Sequence, residues 1–284
     1  MPLPSGTGIG SRVRMNQGPE IPWLGLGVYQ TPPGETTRRA VRDALAAGYR
    51  MIDTATLYGN EADVGEAIRA SGLARDEVFV TTKLWYTDHG FEAAQVAARR
   101  SLERLGLDRI DLYLIHSPRA KSPEDRRDSW RALEKLQRDG VCRAIGVSNY
   151  AIRHLEELRA EGDVVPAVNQ VEMHPFAYDP ELFAYCDRRG IRLEAYSPLT
   201  RAQRLDDPTV GQIATAKGRT PAQILIRWGL EHGAVEIPKS VHRERIVENA
   251  GVFDFSLTAP EMARLDALRG GGRISGWGDT SQIP

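Results

Sequence analysis

The stretch Ile110-Asp111-Leu112-Tyr113-Leu114-Ile115 is apolar at nearly every position, and Val78-Phe79-Val80 is a second run of the same kind. Apolar residues on both faces are typical of a parallel strand that is covered on both sides. The segments between such runs carry a helical period, as where Trp130, Leu133 and Leu136 recur every third residue. The sequence therefore predicts parallel strands that alternate with amphipathic helices.

The strand candidates recur at a regular spacing along the chain. They end near Gly27, Asp53, Lys83, His116, Val147, Val171, Tyr196 and Ile237. The 210 residues from Gly27 to Ile237 divide into seven intervals of about 30 residues, which is the size of one strand with its crossover helix. Eight such units without a linker predict an α/β fold, a closed (β/α)8 TIM barrel in one domain over residues 1–284. An open doubly wound sheet is the alternative.

Three segments exceed what a barrel of roughly 250 residues requires. Residues Arg12 to Pro22, with Asn16-Gln17-Gly18 between short apolar stretches, predict an N-terminal β-hairpin that covers the barrel floor. Residues 200–218 lengthen the last interval. Pro260 to Leu268 predicts an extra C-terminal helix, which a Gly-rich tail over residues 270–284 follows.

Composition places the chain among folded globular proteins, with 284 residues of which 41% are hydrophobic and 26% charged. The 37 Lys and Arg balance 38 Asp and Glu, so nothing favours nucleic acid or a membrane surface as a partner. The stretch Met1 to Arg12 lacks the apolar core of a signal peptide. The two cysteines, Cys142 and Cys186, lie in apolar segments and predict buried thiols rather than a disulfide. We expect a cytoplasmic protein.

Several familiar motifs are absent or incomplete. The glycines at positions 6, 8 and 10 have the wrong spacing for a dinucleotide fingerprint, and no strand precedes them. His174 follows Glu172 closely, but no third ligand is near, so we expect no metal site. The segment Gly146 to Tyr150 lacks the second glycine of a nucleophile elbow.

Four ionisable residues lie where strands meet loops: Asp53, Lys83 and His116 at strand ends, and Tyr58 shortly after the first of them. In a barrel these ends open on the face that carries the chemistry. Lys83 is unusual because the chain has 32 Arg and only 5 Lys, and a lysine after an apolar strand needs a partner. Separately, each residue also fits a structural role in a turn or in the core.

Together the four residues suit the reduction of a carbonyl group. Hydride transfer to carbon leaves negative charge on oxygen, which requires a proton donor. A tyrosine is a weak acid at neutral pH, so we expect Lys83 to lower the pKa of Tyr58 and Asp53 to orient Lys83. His116 would donate to the carbonyl oxygen or position it. This chemistry requires no metal.

The chain resembles the aldo-keto reductase family. The motifs that carry the resemblance are Asp53-Thr54-Ala55, Tyr58-Gly59-Asn60-Glu61, Thr82-Lys83-Leu84-Trp85, Leu114-Ile115-His116, residues 146–149, Asn169-Gln170-Val171-Glu172, residues 195–199 and residues 237–241. They follow one another in order between about Pro22 and Asn249. Gly272-Arg273-Ile274 resembles the bacterial 2,5-diketo-D-gluconate reductase branch more weakly.

The resemblance implies NADPH as the cofactor, bound without a Rossmann domain, and Tyr58 as the general acid supported by Lys83, Asp53 and His116. It implies a cofactor site made of Gly27, Val28, Ser148, Asn149, Gln170, Tyr196, Ser197, Leu199, Lys239, Ser240, Val241, Arg245, Glu248 and Asn249. Tyr196 would stack on the nicotinamide. Lys239, Ser240 and Arg245 would supply two cations and a hydroxyl to the 2′-phosphate.

The substrate site departs from the family pattern because Ser117 follows the histidine, where many relatives carry Trp. Tyr29, Trp85 and Trp277 are then the candidate walls of the substrate pocket. We expect a monomer that acts on a small carbonyl compound, sugar-derived or dicarbonyl. Two alternatives remain open: a Schiff-base enzyme that uses Lys83, and an NADPH-binding redox sensor without turnover.

Overall fold

The computed structural model describes residues 3–4, 6–276 and 280–283. The strands are β1 (Arg12–Val13), β2 (Ile21–Pro22), β3 (Leu26–Gly27), β4 (Met51–Asp53), β5 (Phe79–Leu84), β6 (Ile110–Ile115), β7 (Cys142–Ser148), β8 (Val168–Glu172), β9 (Arg192–Tyr196) and β10 (Val235–Glu236). The helices are α1 (Glu35–Ala46), α2 (Glu61–Ala70), α3 (Phe91–Leu105), α4 (Pro123–Arg138), α5 (Ile152–Glu161), α6 (Pro180–Arg189), α7 (Pro208–Lys217), α8 (Pro221–Glu231), α9 (Arg243–Ala250) and α10 (Ala259–Asp266).

Strands β3 to β10 form one parallel sheet in which each strand pairs with its neighbour in the chain. The sheet closes between its first and last strands. Leu24 forms a parallel bridge to Glu236, and the backbone N–H of Gly25 donates to the Glu236 carbonyl at 2.8 Å. The predicted (β/α)8 barrel is confirmed, and the open-sheet alternative is wrong.

The N-terminal hairpin is present as an antiparallel pairing of β1 with β2. Its turn lies below the barrel, at the amino-terminal end of β8. There the Asn16 side chain donates to the Pro166 carbonyl and that of Gln17 to the Val165 carbonyl. The hairpin therefore covers the floor and leaves the opposite end of the barrel open.

Local signals in the sequence explain where several helices begin. A side-chain cap followed directly by proline starts α4, α6, α7 and α8, with Ser122, Asp179, Asp207 and Thr220 as the caps. The cap satisfies free backbone N–H groups, and proline suits the first helical turn because it lacks an N–H. The two cysteines are buried free thiols, as predicted. Within the described residues, no helix combines the length and apolarity needed to span a membrane.

Gly65 in α2 lies where this helix packs closely against the end of α3. A Cβ at this position would lie 1.7 Å from the Leu105 carbonyl oxygen at the end of α3. We expect Gly65→Ala to destabilise the protein by about 2 kcal/mol, because the backbone must shift to relieve the overlap. Gly211 in α7 faces open space, so Gly211→Ala is the matched control and should stabilise by about 0.5–1 kcal/mol. Urea unfolding measures the change in the free energy of unfolding for both variants. Equal changes in the two variants would contradict the close packing at Gly65.

Candidate active site

The four residues predicted to act together lie at the carboxyl ends of neighbouring strands. Asp53 is the last residue of β4, Lys83 is the penultimate residue of β5, and His116 directly follows β6. Tyr58 ends a 3₁₀ turn, Thr56–Tyr58, that comes shortly after β4. The parallel pairing of β4 with β5 and of β5 with β6 brings these side chains to one end of the barrel.

Lys83 is the buried centre of this group, with no exposed surface. Its Nζ donates to Asp53 Oδ1 at 2.6 Å, to the Thr54 carbonyl at 2.9 Å and to the Tyr58 hydroxyl at 3.3 Å. These three acceptors match the three N–H groups of an ammonium ion. A Schiff-base lysine needs an accessible amine, so the geometry opposes that alternative.

Gln170 links Asp53 to a second buried carboxyl group. Its Nε2 donates to Asp53 Oδ2 at 2.8 Å and to Glu194 Oε2 at 3.0 Å. Both amide N–H groups are therefore engaged by carboxyl groups. The amide oxygen of Gln170, which lines the cavity, is left as an acceptor for a ligand N–H group.

The electrostatics of Tyr58 differ from the sequence-based expectation. Burial raises the pKa of the Tyr58 phenol well above its ordinary value, and the negative charge of Asp53 raises it further. The expected low pKa of Tyr58 is therefore not found in the free protein, where burial and the Asp53 charge set the direction of the shift. The phenol holds its proton throughout the neutral range, as a proton donor must.

His116 packs edge-on against Tyr58, with ring centroids 5.6 Å apart. Burial lowers the pKa of His116 well below its ordinary value, and the positive charge of Lys83 acts in the same direction. The imidazole is therefore neutral at pH 7. Its backbone carbonyl accepts a hydrogen bond from Asn149 Nδ2 at 3.0 Å, which connects the end of β6 to that of β7.

A cavity of about 550 Å³ opens above this group. Tyr58, His116 and Asp53 line it together with Tyr29. It also contains most residues of the predicted cofactor site: Gly27, Ser148, Asn149, Gln170, Tyr196, Ser197, Leu199, Lys239, Ser240, Val241, Arg245, Glu248 and Asn249. The residues assigned from the motifs therefore lie around one space.

Besides the fully buried Lys83, three of the described residues predicted for the site do not line this cavity. The Val28 side chain is fully buried. The backbone N–H of Val28 donates to the Asp53 carbonyl, and the Val28 carbonyl accepts a hydrogen bond from the Asn60 side chain. The Trp85 ring packs edge-on against the rings of Tyr86 and His116. The hydroxyl of Ser117 accepts the backbone N–H of Arg119 and so stabilises a turn. Trp277 lies outside the described residues.

The outer end of the cavity carries positive charge. Lys239 and Arg245 both line it beside Ser240, whose hydroxyl caps the turn at His242. Burial lowers the pKa of Lys239, and no described carboxylate forms an ion pair with it. Glu248 is held by the Thr220 hydroxyl at 2.8 Å. Two cations and a hydroxyl at one place are suited to a phosphate group.

Sequence reasoning missed the contribution of the 200–218 insertion. Arg201, Ala202 and Leu205 line the cavity, and the Arg201 guanidinium lies 5.7 Å from the centre of the Tyr29 ring. Residues 200–202 all have a positive φ, which is unfavourable for non-glycine residues. No sequence motif predicted this conformation. Glu194 was also missed, although a glutamate within the apolar strand β9 was a visible signal.

Comparison with known proteins agrees with this geometry. The model of the Aldo/keto reductase family matches residues 24–269. The chain belongs to this family. It is 47% identical over 268 residues to a glyoxal reductase of Bacillus subtilis, covering 94% of this chain and 96% of that one.

Solved structures of the family are also similar to this chain. An aldo/keto reductase from Brucella melitensis superposes with a TM-score of 0.87 at 44% identity, covering 91% of this chain and 99% of that one. A Bombyx mori aldo-keto reductase in complex with NADP gives a TM-score of 0.90 at 35% identity over 98% and 99% of the two chains. The chain is thus an oxidoreductase of the aldo-keto reductase family.

Glu194 makes the stability of the fold depend on pH. Burial raises the pKa of Glu194 to about 8, and the charge of Asp53 contributes to the shift. A carboxyl group with a raised pKa binds more protons in the folded state, so its contribution to stability is lost as the pH rises toward 8. We expect the free energy of unfolding of Glu194→Gln to rise relative to that of wild type by about 4 kcal/mol between pH 5 and pH 8.5, because glutamine has no carboxyl group to ionise.

Urea unfolding at the two pH values measures this difference. Glu103 is solvent-exposed on α3, so Glu103→Gln serves as the control and should follow wild type at both. A Glu194→Gln variant whose stability relative to wild type does not depend on pH would contradict a buried, protonated Glu194.

Proposed function

We propose that the protein reduces small aldehydes and ketones to alcohols with NADPH, using Tyr58 as the proton donor. One observation carries the proposal: the Tyr58 hydroxyl faces a large cavity and rests on the buried Lys83–Asp53 ion pair. The NADP complex of the Bombyx mori relative supports the choice of cofactor. The roles of the individual residues follow from the chemistry of their positions.

The cavity suits a nicotinamide dinucleotide at both of its ends. At the inner end, the free amide oxygen of Gln170 is an acceptor for the carboxamide N–H of the nicotinamide, and the Tyr196 ring offers a flat wall. At the outer end, Lys239 and Arg245 suit the 2′-phosphate that distinguishes NADPH from NADH. When bound, the dihydropyridine supplies a hydride, which carries two electrons to the carbonyl carbon.

Tyr58 supplies the proton that completes the reduction. As charge builds on the carbonyl oxygen, the phenol O–H transfers its proton there, and the product alcohol carries one new C–H and one new O–H bond. The alkoxide is a much stronger base than a phenolate, so the raised pKa of Tyr58 does not prevent this transfer. Lys83 then lies 3.3 Å from the phenolate oxygen and stabilises its charge until solvent returns the proton.

His116 is suited to hold the substrate in place. Its neutral ring lies edge-on to Tyr58, so a carbonyl oxygen at the phenol also reaches the imidazole. Tyr29 covers the other side, with its ring centroid 4.9 Å from that of Tyr58. Similarity to a glyoxal reductase supports a small dicarbonyl substrate. A monomer of one domain remains our prediction.

The role of Tyr58 is tested by removal of its hydroxyl group. Tyr58→Phe should lower kcat for carbonyl reduction by at least about 100-fold, because proton donation is lost while the ring remains. NADPH affinity should stay near that of wild type. Steady-state NADPH consumption over a panel of aldehydes, ketones and dicarbonyls measures the first effect and fluorescence titration the second.

Unchanged turnover in Tyr58→Phe would reject this proton donor. If the wild type binds NADPH stoichiometrically but oxidises none of it with any compound of the panel, the result would favour the redox-sensor hypothesis over the reductase hypothesis.

The assignment of the phosphate site is tested at Arg245. Arg245→Ala should weaken NADPH binding by about tenfold or more and leave NADH binding nearly unchanged, because only NADPH carries the 2′-phosphate. Arg243 precedes it on α9 and does not line the cavity, so Arg243→Ala is the matched control for the loss of charge. Equal losses for the two dinucleotides in Arg245→Ala would contradict the assignment.

A further inference from the structure

The C-terminal segment 270–275 folds back over the open end of the barrel. It is held by backbone contacts at its start, where the Gly270 N–H donates to the Phe176 carbonyl at 3.2 Å and the Arg204 side chain donates to the Gly271 carbonyl at 2.9 Å. Residues 274 and 275 then reach the end of β8. This segment is therefore attached to the same rim that carries the cavity.

Glu172, the last residue of β8, binds this segment through both carboxylate oxygens. Oε1 accepts the backbone N–H of Ile274, while Oε2 accepts the backbone N–H of Ser275 at 3.2 Å and the Ser275 hydroxyl. His174 Nε2 lies 3.0 Å from Oε1 and occupies the remaining side. Burial acts to raise the pKa of Glu172, but these hydrogen bonds outweigh it and lower the pKa to about 2. The carboxylate is therefore charged throughout the neutral range.

The C-terminal segment 270–275 contacts the cavity wall through the hydroxyl group of Ser275. The single proton of the Tyr196 hydroxyl is donated to Asn149 Oδ1 at 2.8 Å, and Ser275 Oγ, whose own proton goes to Glu172, is a second acceptor for it at 3.3 Å. The Tyr196 ring itself lines the cavity, as does Asn149. Polar contacts thus connect Glu172, Ser275, Tyr196 and Asn149, with the Tyr196 proton shared between Asn149 and Ser275.

The far end of this chain is equally fixed. Asn149 has a φ of 63°, and its Nδ2 donates to the His116 carbonyl and to the Ser148 hydroxyl, each at 3.0 Å. With both amide N–H groups engaged, Oδ1 is the acceptor that Tyr196 reaches. The tyrosine hydroxyl is therefore held from the barrel by Asn149 and from the C-terminal segment by Ser275.

We propose that Ser275 is a positioning residue for the cofactor, because with Glu172 it fixes the Tyr196 ring as a flat wall of the nicotinamide end. This inference rests on the proposed function, in which Tyr196 stacks on the nicotinamide. A tyrosine ring turns about two side-chain torsions, so a hydroxyl held on two sides leaves the ring one orientation. Cofactor binding and docking of the segment then favour each other, and by linkage the effect is reciprocal.

A double-mutant cycle tests the proposal with the ring retained. Ser275→Ala should weaken NADPH binding by about threefold, and Tyr196→Phe, which loses the Asn149 contact as well, by about fivefold or more. The double variant should bind NADPH no more weakly than Tyr196→Phe alone, because Tyr196→Phe already removes the contact with Ser275. Ser275→Thr keeps the hydroxyl and should restore most of the affinity. Ser129 is buried on α4 away from the cavity, and Ser129→Ala should match wild type.

Amide hydrogen exchange supplies a second readout. NADPH should slow exchange of the Ile274 and Ser275 amides in wild type, and it should slow them less in Tyr196→Phe. Three results would each overturn the inference and leave the proposed function intact. They are additive losses of affinity in the double-mutant cycle, wild-type NADPH affinity in Ser275→Ala, and amide exchange in the segment that does not change when NADPH binds. Failure of the wild type to bind NADPH would overturn the proposed function and this inference together.

Discussion

The ion pair between Lys83 and Asp53 is the interaction on which the site depends. Removing two charges from water costs several kcal/mol per ion unless both are paired and hydrogen-bonded. Here the ammonium finds three acceptors and the carboxylate a second donor in Gln170. The arrangement is possible because β4 and β5 are adjacent and in parallel register, with Asp53 opposite Thr81 two residues before Lys83.

The same pair explains how a buried phenol can serve as an acid. In the free protein the Lys83–Asp53 pair is close to neutral, and burial keeps Tyr58 protonated. The Lys83–Asp53 pair stabilises the phenol oxygen fully only when negative charge forms on it. Stabilisation that appears as the charge develops is what lowers a reaction barrier. The neutral His116 adds a polar group beside it without competing for the proton.

The strand ends and the four central residues could be predicted from the sequence, because buried parallel strands are continuously apolar and their carboxyl ends meet at one rim. A charged residue at such an end stands out, as Lys83 does in a chain poor in lysine. Within the cofactor motifs, Val28 shows the limit of this reasoning. Its neighbours on both sides line the cavity, but its own side chain packs into the core.

Other features depend on contacts that a local pattern does not encode. The pKa of Tyr58 depends on how deeply the phenol is buried and on its distance from Asp53, which follow only from the folded structure. Arg201 reaches the cavity through a loop with positive φ at non-glycine residues, a conformation that its sequence disfavours. The link from Glu172 to Ser275 joins residues 103 positions apart.

A crystal structure of the protein with NADP⁺ tests the central claim most directly. It should place the nicotinamide ring between Tyr196 and the Tyr58 hydroxyl, so that a carbonyl within hydrogen-bond reach of Tyr58 has its carbon about 3–3.5 Å from C4 of the ring. Lys83 should still contact both Asp53 and Tyr58. A dinucleotide bound with its nicotinamide away from Tyr58, or a Lys83 withdrawn from the phenol, would contradict the account.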